Sequence, residues 1–143
     1  MTNKYPTLFE LAYAALGDKA AEATNFLDLF TDDAVLDYPF APPDTPQQIV
    51  GKESIAAHAI RLAPLLEFGD FTLGSVYQLS DVVIFEASCQ GRGTETGLPY
   101  NQHYICVLHL RSGKIARWQD YWNPQVLIAA LGGQAEMAKA YSS

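Results

Sequence analysis

Residues 100–124 read YNQHYICVLHLRSGKIARWQDYWNP and contain two strand-like runs joined by a short turn. Gly113 can adopt a positive φ, so the segment from Arg111 to Lys114 is predicted to be a hairpin turn between antiparallel strands. With Arg111 facing Lys114, alternate residues of the two strands share one face of the sheet. The pairs predicted to face each other on that side are Ile105 with Asp120, Val107 with Trp118, and His103 with Trp122.

Asp120 is the one carboxylate of the second strand, and the predicted pairing surrounds it with apolar and aromatic side chains. A carboxylate in such a place is poorly solvated, so its pKa is expected to rise, which suits a general acid or base near neutral pH. The alternative is a surface aspartate at the end of a strand. A slip of one residue in the pairing would turn the side chain to solvent.

Length and composition indicate one globular domain over residues 1–143. A chain of 143 residues with 49% hydrophobic and 17% charged residues can bury a core without metals or disulfides. The net charge of -7 argues against nucleic-acid and anionic-membrane partners. The chain lacks a signal segment and any apolar run long enough to span a bilayer, so a cytoplasmic location is expected. Cys89 and Cys106 lie in apolar strands and are expected to be buried free thiols.

The order of elements along the chain predicts an α+β fold, with helices covering one face of a curved, mostly antiparallel sheet. A pocket is expected between the sheet and the helices. The predicted helices run from Pro6 to Gly17, from Asp18 to about Phe30, over 51–63, and from Asn123-Pro124 to Gly132-Gly133, before a short tail. The predicted strands are 34–40, 69–79, 81–93, 99–110 and 114–122, with a proline-rich loop over 41–46.

Several motifs in this order resemble the nuclear transport factor 2-like superfamily, which includes ketosteroid isomerases, limonene epoxide hydrolase, SnoaL-like polyketide cyclases and scytalone dehydratase. The motifs are Phe30-Thr31-Asp32-Asp33-Ala34, Phe68-Gly69-Asp70-Phe71, Tyr100-Asn101-Gln102-His103-Tyr104, Gly113-Lys114-Ile115 and Trp118-Gln119-Asp120-Tyr121-Trp122. The likeness is closest to the SnoaL-like branch and to phenazine biosynthesis protein A/B. It implies a cone-shaped domain that performs acid–base chemistry on small, mostly apolar molecules without a metal or organic cofactor, usually as a homodimer.

The resemblance assigns roles to two residues. Asp120 matches the acidic base of the SnoaL-like cyclases and limonene epoxide hydrolase, where the phenazine proteins have a glutamate. His58 matches a histidine that works with that glutamate. Independently, His58 lies on the apolar stripe of the predicted helix over 51–63, where a buried imidazole must find a partner. The alternative for His58 is a core histidine bonded to a backbone carbonyl.

The remaining candidates would contact a substrate. Ketosteroid isomerases have an aspartate directly before proline, whereas here Tyr38 precedes Pro39 and Asp37 lies one residue earlier. Steroid isomerisation by that route is therefore not expected, although Tyr38 could donate a hydrogen bond and a bulge could turn Asp37 inward. The other substrate-binding candidates are Tyr13, His103, Ile105, Trp118 and Trp122. The three histidines and two cysteines include no close-spaced pair of metal ligands, so no metal site is expected.

These observations lead to the hypothesis of a cofactor-independent enzyme in which Asp120, with His58, moves protons on a small hydrophobic cyclic or polyketide-like metabolite. Isomerisation, cyclisation, dehydration and imine-forming condensation all fit this chemistry. Two alternatives remain: a non-catalytic protein that binds a small apolar ligand, and a protein-interaction module of the same fold. Fold alone does not choose among them. A homodimer is expected because strands with two apolar faces need cover on the face that the helices do not reach.

Overall fold

The computed structural model describes residues 3–142, which form a curved open sheet of seven strands with helices against one face. The strands are β1 (Lys4–Tyr5), β2 (Phe30–Asp37), β3 (Gln48–Val50), β4 (Leu66–Gln78), β5 (Val82–Gly93), β6 (Pro99–Arg111) and β7 (Lys114–Trp122). The helices are α1 (Leu8–Leu16), α2 (Lys52–Leu62), α3 (Pro124–Ala130) and α4 (Gln134–Ser142). The strand order is β1-β4-β5-β6-β7-β2-β3, and within residues 3–142 only the β2–β7 pairing is parallel. The predicted α+β fold with a mostly antiparallel sheet is confirmed.

The β6–β7 hairpin turns as predicted but pairs one residue out of the predicted register. Ser112 and Gly113 have φ of 53° and 79°, the left-handed values of a tight two-residue hairpin turn, and Arg111 pairs with Lys114. The next pairs are Leu110 with Ile115 and His109 with Arg117, so Ala116 is an extra residue on β7. This β-bulge shifts every later pair by one residue. The pairs found are Cys106 with Asp120, Leu108 with Trp118, and Tyr104 with Trp122.

The shifted register corrects the placement of two predicted site residues. Because side chains alternate between the faces of a strand, Ile105 and His103 lie on the opposite face of β6 from Cys106 and Tyr104. Ile105 is 49% exposed, and His103 is exposed as well. The prediction that these two residues share the face of Asp120 is wrong, because the sequence pattern does not reveal the bulge.

The three helices that border the sheet begin and end close to their predicted limits. The Thr7 hydroxyl accepts the first-turn N–H of Glu10 at 3.1 Å, and α1 ends at Gly17, whose φ is 55°. The predicted helix over 51–63 is α2. At α3 the Asn123 side chain accepts the N–H of Gln125 at 2.9 Å and proline occupies the first turn. Local capping chemistry therefore sets the limits of α1 and the start of α3.

The helix predicted to begin at Asp18 is absent from the described chain, and β2 begins earlier than expected. The segment contains two 3-10 turns, Gly17–Lys19 and Leu27–Leu29, joined by irregular backbone. The Asp28 carboxylate accepts the backbone N–H and the hydroxyl of Thr24, and the Asn25 side chain accepts the N–H of Asp28. Such side-chain bonds to nearby backbone compete with helix formation. The short strands β1 and β3 and the helix α4, which occupies the expected tail, were not predicted.

The core lies between the helices and the inner face of the sheet. Trp118 is almost fully buried and packs against Phe30 and Phe85, with ring centroids 6.0 Å and 6.3 Å away. Cys89 and Cys106 are buried free thiols, as predicted. Across residues 3–142 no helix is both long and apolar enough to cross a bilayer.

Candidate active site

A cavity of about 500 Å³ lies between the inner face of the sheet and the helices α1, α2, α3 and α4. Its walls are mainly aliphatic and aromatic side chains. Among the described residues that line the cavity, Asp120 is the only aspartate, and there is no glutamate, lysine or arginine. The polar or titratable side chains that share the cavity with it are Thr7, Tyr38, Thr45, His58, Tyr100, Tyr104, Cys106 and Tyr141. A small apolar molecule would be enclosed here beside one carboxylate.

Asp120 lies deep in this cavity, on β7 opposite Cys106 of β6. The Cys106 thiol donates a hydrogen bond to Asp120 Oδ1 over 3.6 Å. Burial raises the pKa of Asp120 to about 7, and the thiol hydrogen bond opposes this rise with a smaller effect. The side chain keeps some accessible surface because it lines the cavity. Near neutral pH the carboxyl group can therefore both take up and release a proton.

Tyr38 and His58 form a hydrogen-bonded pair in the same cavity, with Tyr38 Oη 3.0 Å from His58 Nε2. Tyr38 follows the end of β2, and the Trp122 ring packs edge-on against it with centroids 5.6 Å apart. Burial, followed by the charge of Asp120, raises the pKa of Tyr38 far above its ordinary value. Burial, followed by the charge of Arg61, lowers the pKa of His58. At neutral pH the phenol is protonated and the imidazole is uncharged.

Trp118 and Trp122, both predicted to contact a substrate, line the cavity on β7. The buried indole Nε1–H of Trp118 has no partner in hydrogen-bonding geometry among the described residues. Burial and the charge of Asp120 raise the pKa of the Cys106 thiol. The nearby indole N–H of Trp118 opposes this rise. These rings form an apolar wall around the carboxylate and reduce its contact with water.

Sequence reasoning missed a second polar group in the cavity. The hydroxyls of Tyr100 and Tyr104 are 3.2 Å apart, and the Tyr104 hydroxyl is 3.6 Å from the Cys89 sulfur. Both tyrosines are on β6 and line the cavity. The sequence did contain a signal, because alternate residues of this strand share one face. With the pairing shifted by one residue, that face would have been predicted to point inward, and its residues are Tyr100, Gln102, Tyr104, Cys106 and Leu108.

Two further predicted residues lie outside the cavity lining. Asp37 forms an ion pair with Arg117 and accepts a hydrogen bond from Gln48 Nε2 at 2.8 Å. Asp37 and Tyr38 are adjacent, so their side chains point to opposite sides of the extended chain, and no bulge turns Asp37 inward. Tyr13 stacks on Phe9 with ring centroids 5.4 Å apart, and only Phe9 of that pair reaches the cavity. With Ile105 and His103, four of the nine predicted site residues are therefore outside it.

Comparisons with known proteins agree with this architecture. The profile of the SnoaL-like domain family matches residues 9–118. The protein YesE of Bacillus subtilis strain 168, whose function is uncharacterized, is 40% identical over 111 residues, which are 76% of each chain. A PhzA/B-like protein of Pseudomonas aeruginosa is 38% identical over 120 residues, 82% of this chain and 84% of that one. A crystal structure from Bacillus subtilis with a provisional isomerase name is 38% identical, with a TM-score of 0.73 over 86% of this chain and 87% of its own. The fold is that of nuclear transport factor 2-like proteins.

Proposed function

This chain belongs to the SnoaL-like domain family, and we propose that it is an enzyme that transfers protons on a small, mostly apolar molecule without a cofactor. The family includes proteins named as polyketide cyclases and isomerases. The observation that carries the proposal is that Asp120, the one carboxylate among the described residues of an apolar cavity, has a pKa of about 7. An acid or base of that pKa is near the optimum for proton transfer at neutral pH.

Asp120 is the proposed base. Its ionised oxygen takes a proton from an acidic C–H or N–H group of the substrate, and the protonated carboxyl then returns it to another atom. When the proton leaves carbon, the C–H electron pair becomes part of a new double bond and charge develops on the substrate oxygen. The apolar walls favour this transfer, because a desolvated carboxylate is a stronger base than one in water.

Tyr38 is the proposed donor to the developing charge. Its pKa is raised, so its hydroxyl keeps the proton that a substrate oxygen needs. In the tautomer in which His58 donates from Nε2 to Tyr38 Oη, the phenol O–H is free to donate to the substrate. Donors placed before the reaction at the position where charge develops stabilise the transition state. His58 therefore acts by orienting Tyr38 through this hydrogen bond.

The reaction class that these roles support is proton abstraction next to a carbonyl or imine group. Isomerisation returns the proton to a different carbon, cyclisation uses the resulting carbon nucleophile, and dehydration or imine formation expels water. The isomerase, cyclase and PhzA/B-like names among similar proteins are consistent with this class. Isomerisation, cyclisation and dehydration each begin with transfer of a carbon-bound proton to Asp120, whereas in imine formation Asp120 takes the N–H proton of the carbinolamine and returns it to the departing hydroxyl group as water leaves.

The test measures hydrogen–deuterium exchange at the α-carbon of 2-tetralone in D₂O by NMR, which needs no knowledge of the natural substrate. We expect the wild-type protein to accelerate exchange and Asp120→Asn to reduce this acceleration by roughly 100-fold or more. The rate should rise as the pH increases through about 7, because only the ionised carboxylate is a base. Asp70→Asn, at an exposed position of β4, is the matched control and should retain the wild-type rate.

Two results would contradict the proposal. One is exchange by Asp120→Asn at the wild-type rate. The other is binding of 2-tetralone by the wild-type protein without any acceleration of exchange, which would favour a non-catalytic ligand-binding protein. Binding by Asp120→Asn, measured in parallel by calorimetry, separates loss of chemistry from loss of the pocket.

A further inference from the structure

We propose that Tyr100 and Tyr104 form a second subsite of the cavity, which binds an uncharged oxygen of the substrate away from the reacting carbon. This inference rests on the proposed function, because it describes what else the same cavity recognises. It defines the substrate class as an uncharged, mostly apolar molecule with an oxygen acceptor, and it excludes carboxylates and phosphates.

The two hydroxyls are part of the cavity wall and lie within electrostatic reach of the carboxylate. Tyr100 is 5% exposed, and both tyrosines line the cavity. Burial is the main cause of the raised pKa of each phenol, and the charge of Asp120 contributes to both. Tyr104 and Cys106 are two residues apart on one face of β6, and Cys106 contacts Asp120. A ligand that touches Asp120 can therefore extend along β6 to the tyrosines.

Whichever tyrosine donates to the other, one hydroxyl proton of the pair has no strong acceptor among residues 3–142. If Tyr104 donates to Tyr100, the Tyr100 proton has no acceptor among the described contacts, since the Gln102 side-chain oxygen already accepts the backbone N–H groups of Asn123 and His103. If Tyr100 donates to Tyr104, the Tyr104 proton meets only the Cys89 sulfur at 3.6 Å. Sulfur is a weak acceptor. Because a buried unpaired donor is costly, the pair favours a ligand oxygen at this position.

The charges around the cavity decide what kind of oxygen this is. Among the described lining residues there is no lysine or arginine, and the lowered pKa of His58 keeps its ring neutral. Arg61, whose charge reaches His58 and Tyr141, is outside the lining. An anionic group would lose its hydration with no cation in the wall and would share the cavity with Asp120. A carbonyl, ether or hydroxyl oxygen carries no charge, so it avoids both the loss of an anion's hydration and the repulsion by Asp120.

The test compares three probes that share a naphthalene ring, 2-acetylnaphthalene, 2-isopropylnaphthalene and 2-naphthoate, titrated at pH 8 by calorimetry. We expect the ketone to bind the wild-type protein roughly 3- to 10-fold more tightly than the hydrocarbon, the usual range for one neutral hydrogen bond. The carboxylate should bind most weakly. In the double variant Tyr100→Phe/Tyr104→Phe the ketone should lose its advantage while the hydrocarbon binds as before.

Matched variants locate the effect. Tyr77→Phe, at an exposed position of β4, should keep the ketone preference. The subsite is overturned if the preference is absent in the wild-type protein, survives the double variant, or disappears in Tyr38→Phe with both β6 tyrosines intact. Tightest binding by 2-naphthoate, or no binding of the ketone at its solubility limit, also overturns it. The ketone preference is measured by binding and does not require Asp120 to act as a base. Failure of the tyrosine subsite and failure of proton transfer are therefore separate results.

Discussion

Asp120 is buried by folding, but the proposed reaction requires its ionised form. Its carboxylate is surrounded by protein and receives one weak hydrogen bond, from the Cys106 thiol. Burial therefore disfavours the charged form that a base requires. The cost appears as a dependence of stability on pH, which can be measured without a substrate.

We expect the free energy of unfolding to fall between about pH 4 and pH 7 because of this group. The unfolded carboxyl ionises near 3.8, whereas the folded one keeps its proton until about 7, so the folded state binds more protons in this interval. The loss is at most about 4 kcal/mol, from the size of the shift. Asp120→Asn cannot ionise, so its stability relative to wild type should increase from pH 4 to pH 8. Urea denaturation at each pH measures this, and a pH-independent difference would contradict it.

Cys106 is expected to adjust the pKa of the carboxyl group. Its thiol hydrogen bond stabilises the ionised form, so Cys106→Ala should raise the pKa of Asp120 further. Cys106→Ser keeps a donor at the same atom position and serves as the control, in which the pKa should not rise. Titration of the Asp120 carboxyl carbon by NMR gives both values. Equal pKa values in the alanine and serine variants would show that the thiol does not influence the base.

At the scale of elements, the β6–β7 hairpin places the site. Its turn starts the pairing with Arg111 opposite Lys114, and the bulge at Ala116 then moves Cys106 rather than Ile105 opposite Asp120. Glycine at position 113 is required both for its φ of 79° and for space, since a Cβ there would be 2.8 Å from the Ala21 nitrogen. That nitrogen donates to the Gly113 carbonyl at 2.9 Å, which ties the turn to the segment after α1.

We therefore expect Gly113→Ala to destabilise the protein more than a substitution that only strains the backbone. Gly97→Ala is the matched control, because Gly97 has a similar φ of 71° and a Cβ there would have no neighbouring atom within 4 Å. The control should cost about 1–2 kcal/mol, the penalty of the left-handed conformation, and Gly113→Ala at least about 1 kcal/mol more from the clash. Urea denaturation compares them. Equal losses would mean that the turn and Ala21 move apart freely.

At the scale of the whole molecule, the outer face of the sheet carries an apolar patch. Ile105 pairs with Tyr121 across β6 and β7, and Tyr121 packs against Phe40 with ring centroids 5.3 Å apart. Phe40 is 61% exposed and Ile105 is 49% exposed. Contiguous exposed apolar side chains of this kind are typical of protein interfaces. This patch is where a second copy of the chain is expected to bind.

We expect a homodimer at micromolar concentration by light scattering. Ile105→Arg should weaken dimerisation by at least about tenfold, because it would bury an unpaired charge at the interface. Ala14→Arg, at an exposed position of α1, adds the same charge away from the sheet and should leave the dimer intact. A monomeric wild-type protein, or a dimer unaffected by Ile105→Arg, would contradict this assignment of the outer face.

Much of the architecture follows from local patterns in the chain. Pro6, Gly17 and Asn123-Pro124, together with the apolar periodicity of three segments, predict α1, α2 and α3, and apolar strand-like runs predict the four long strands. Asp120, Tyr38 and His58 were also singled out from sequence, and the structure brings all three into one cavity. The helix and strand predictions succeed because caps, turns and periodicity depend on residues within a few positions of one another, whereas the roles of the three site residues stay a prediction.

The details that decide which side chains meet come from contacts between distant parts of the chain. Because of the extra residue at Ala116, the face of β6 that lines the cavity is the opposite of the predicted one. It carries Tyr100, Tyr104 and Cys106, whereas His103 and Ile105 lie on the outer face. The parallel pairing of β2 with β7 brings Arg117 to Asp37, which holds that carboxylate in an ion pair outside the cavity. Side-chain direction alternates with every residue of a strand, so a single insertion reverses it. Because a bulge and a parallel pairing depend on how separate strands pack together, the composition of either strand alone does not reveal them.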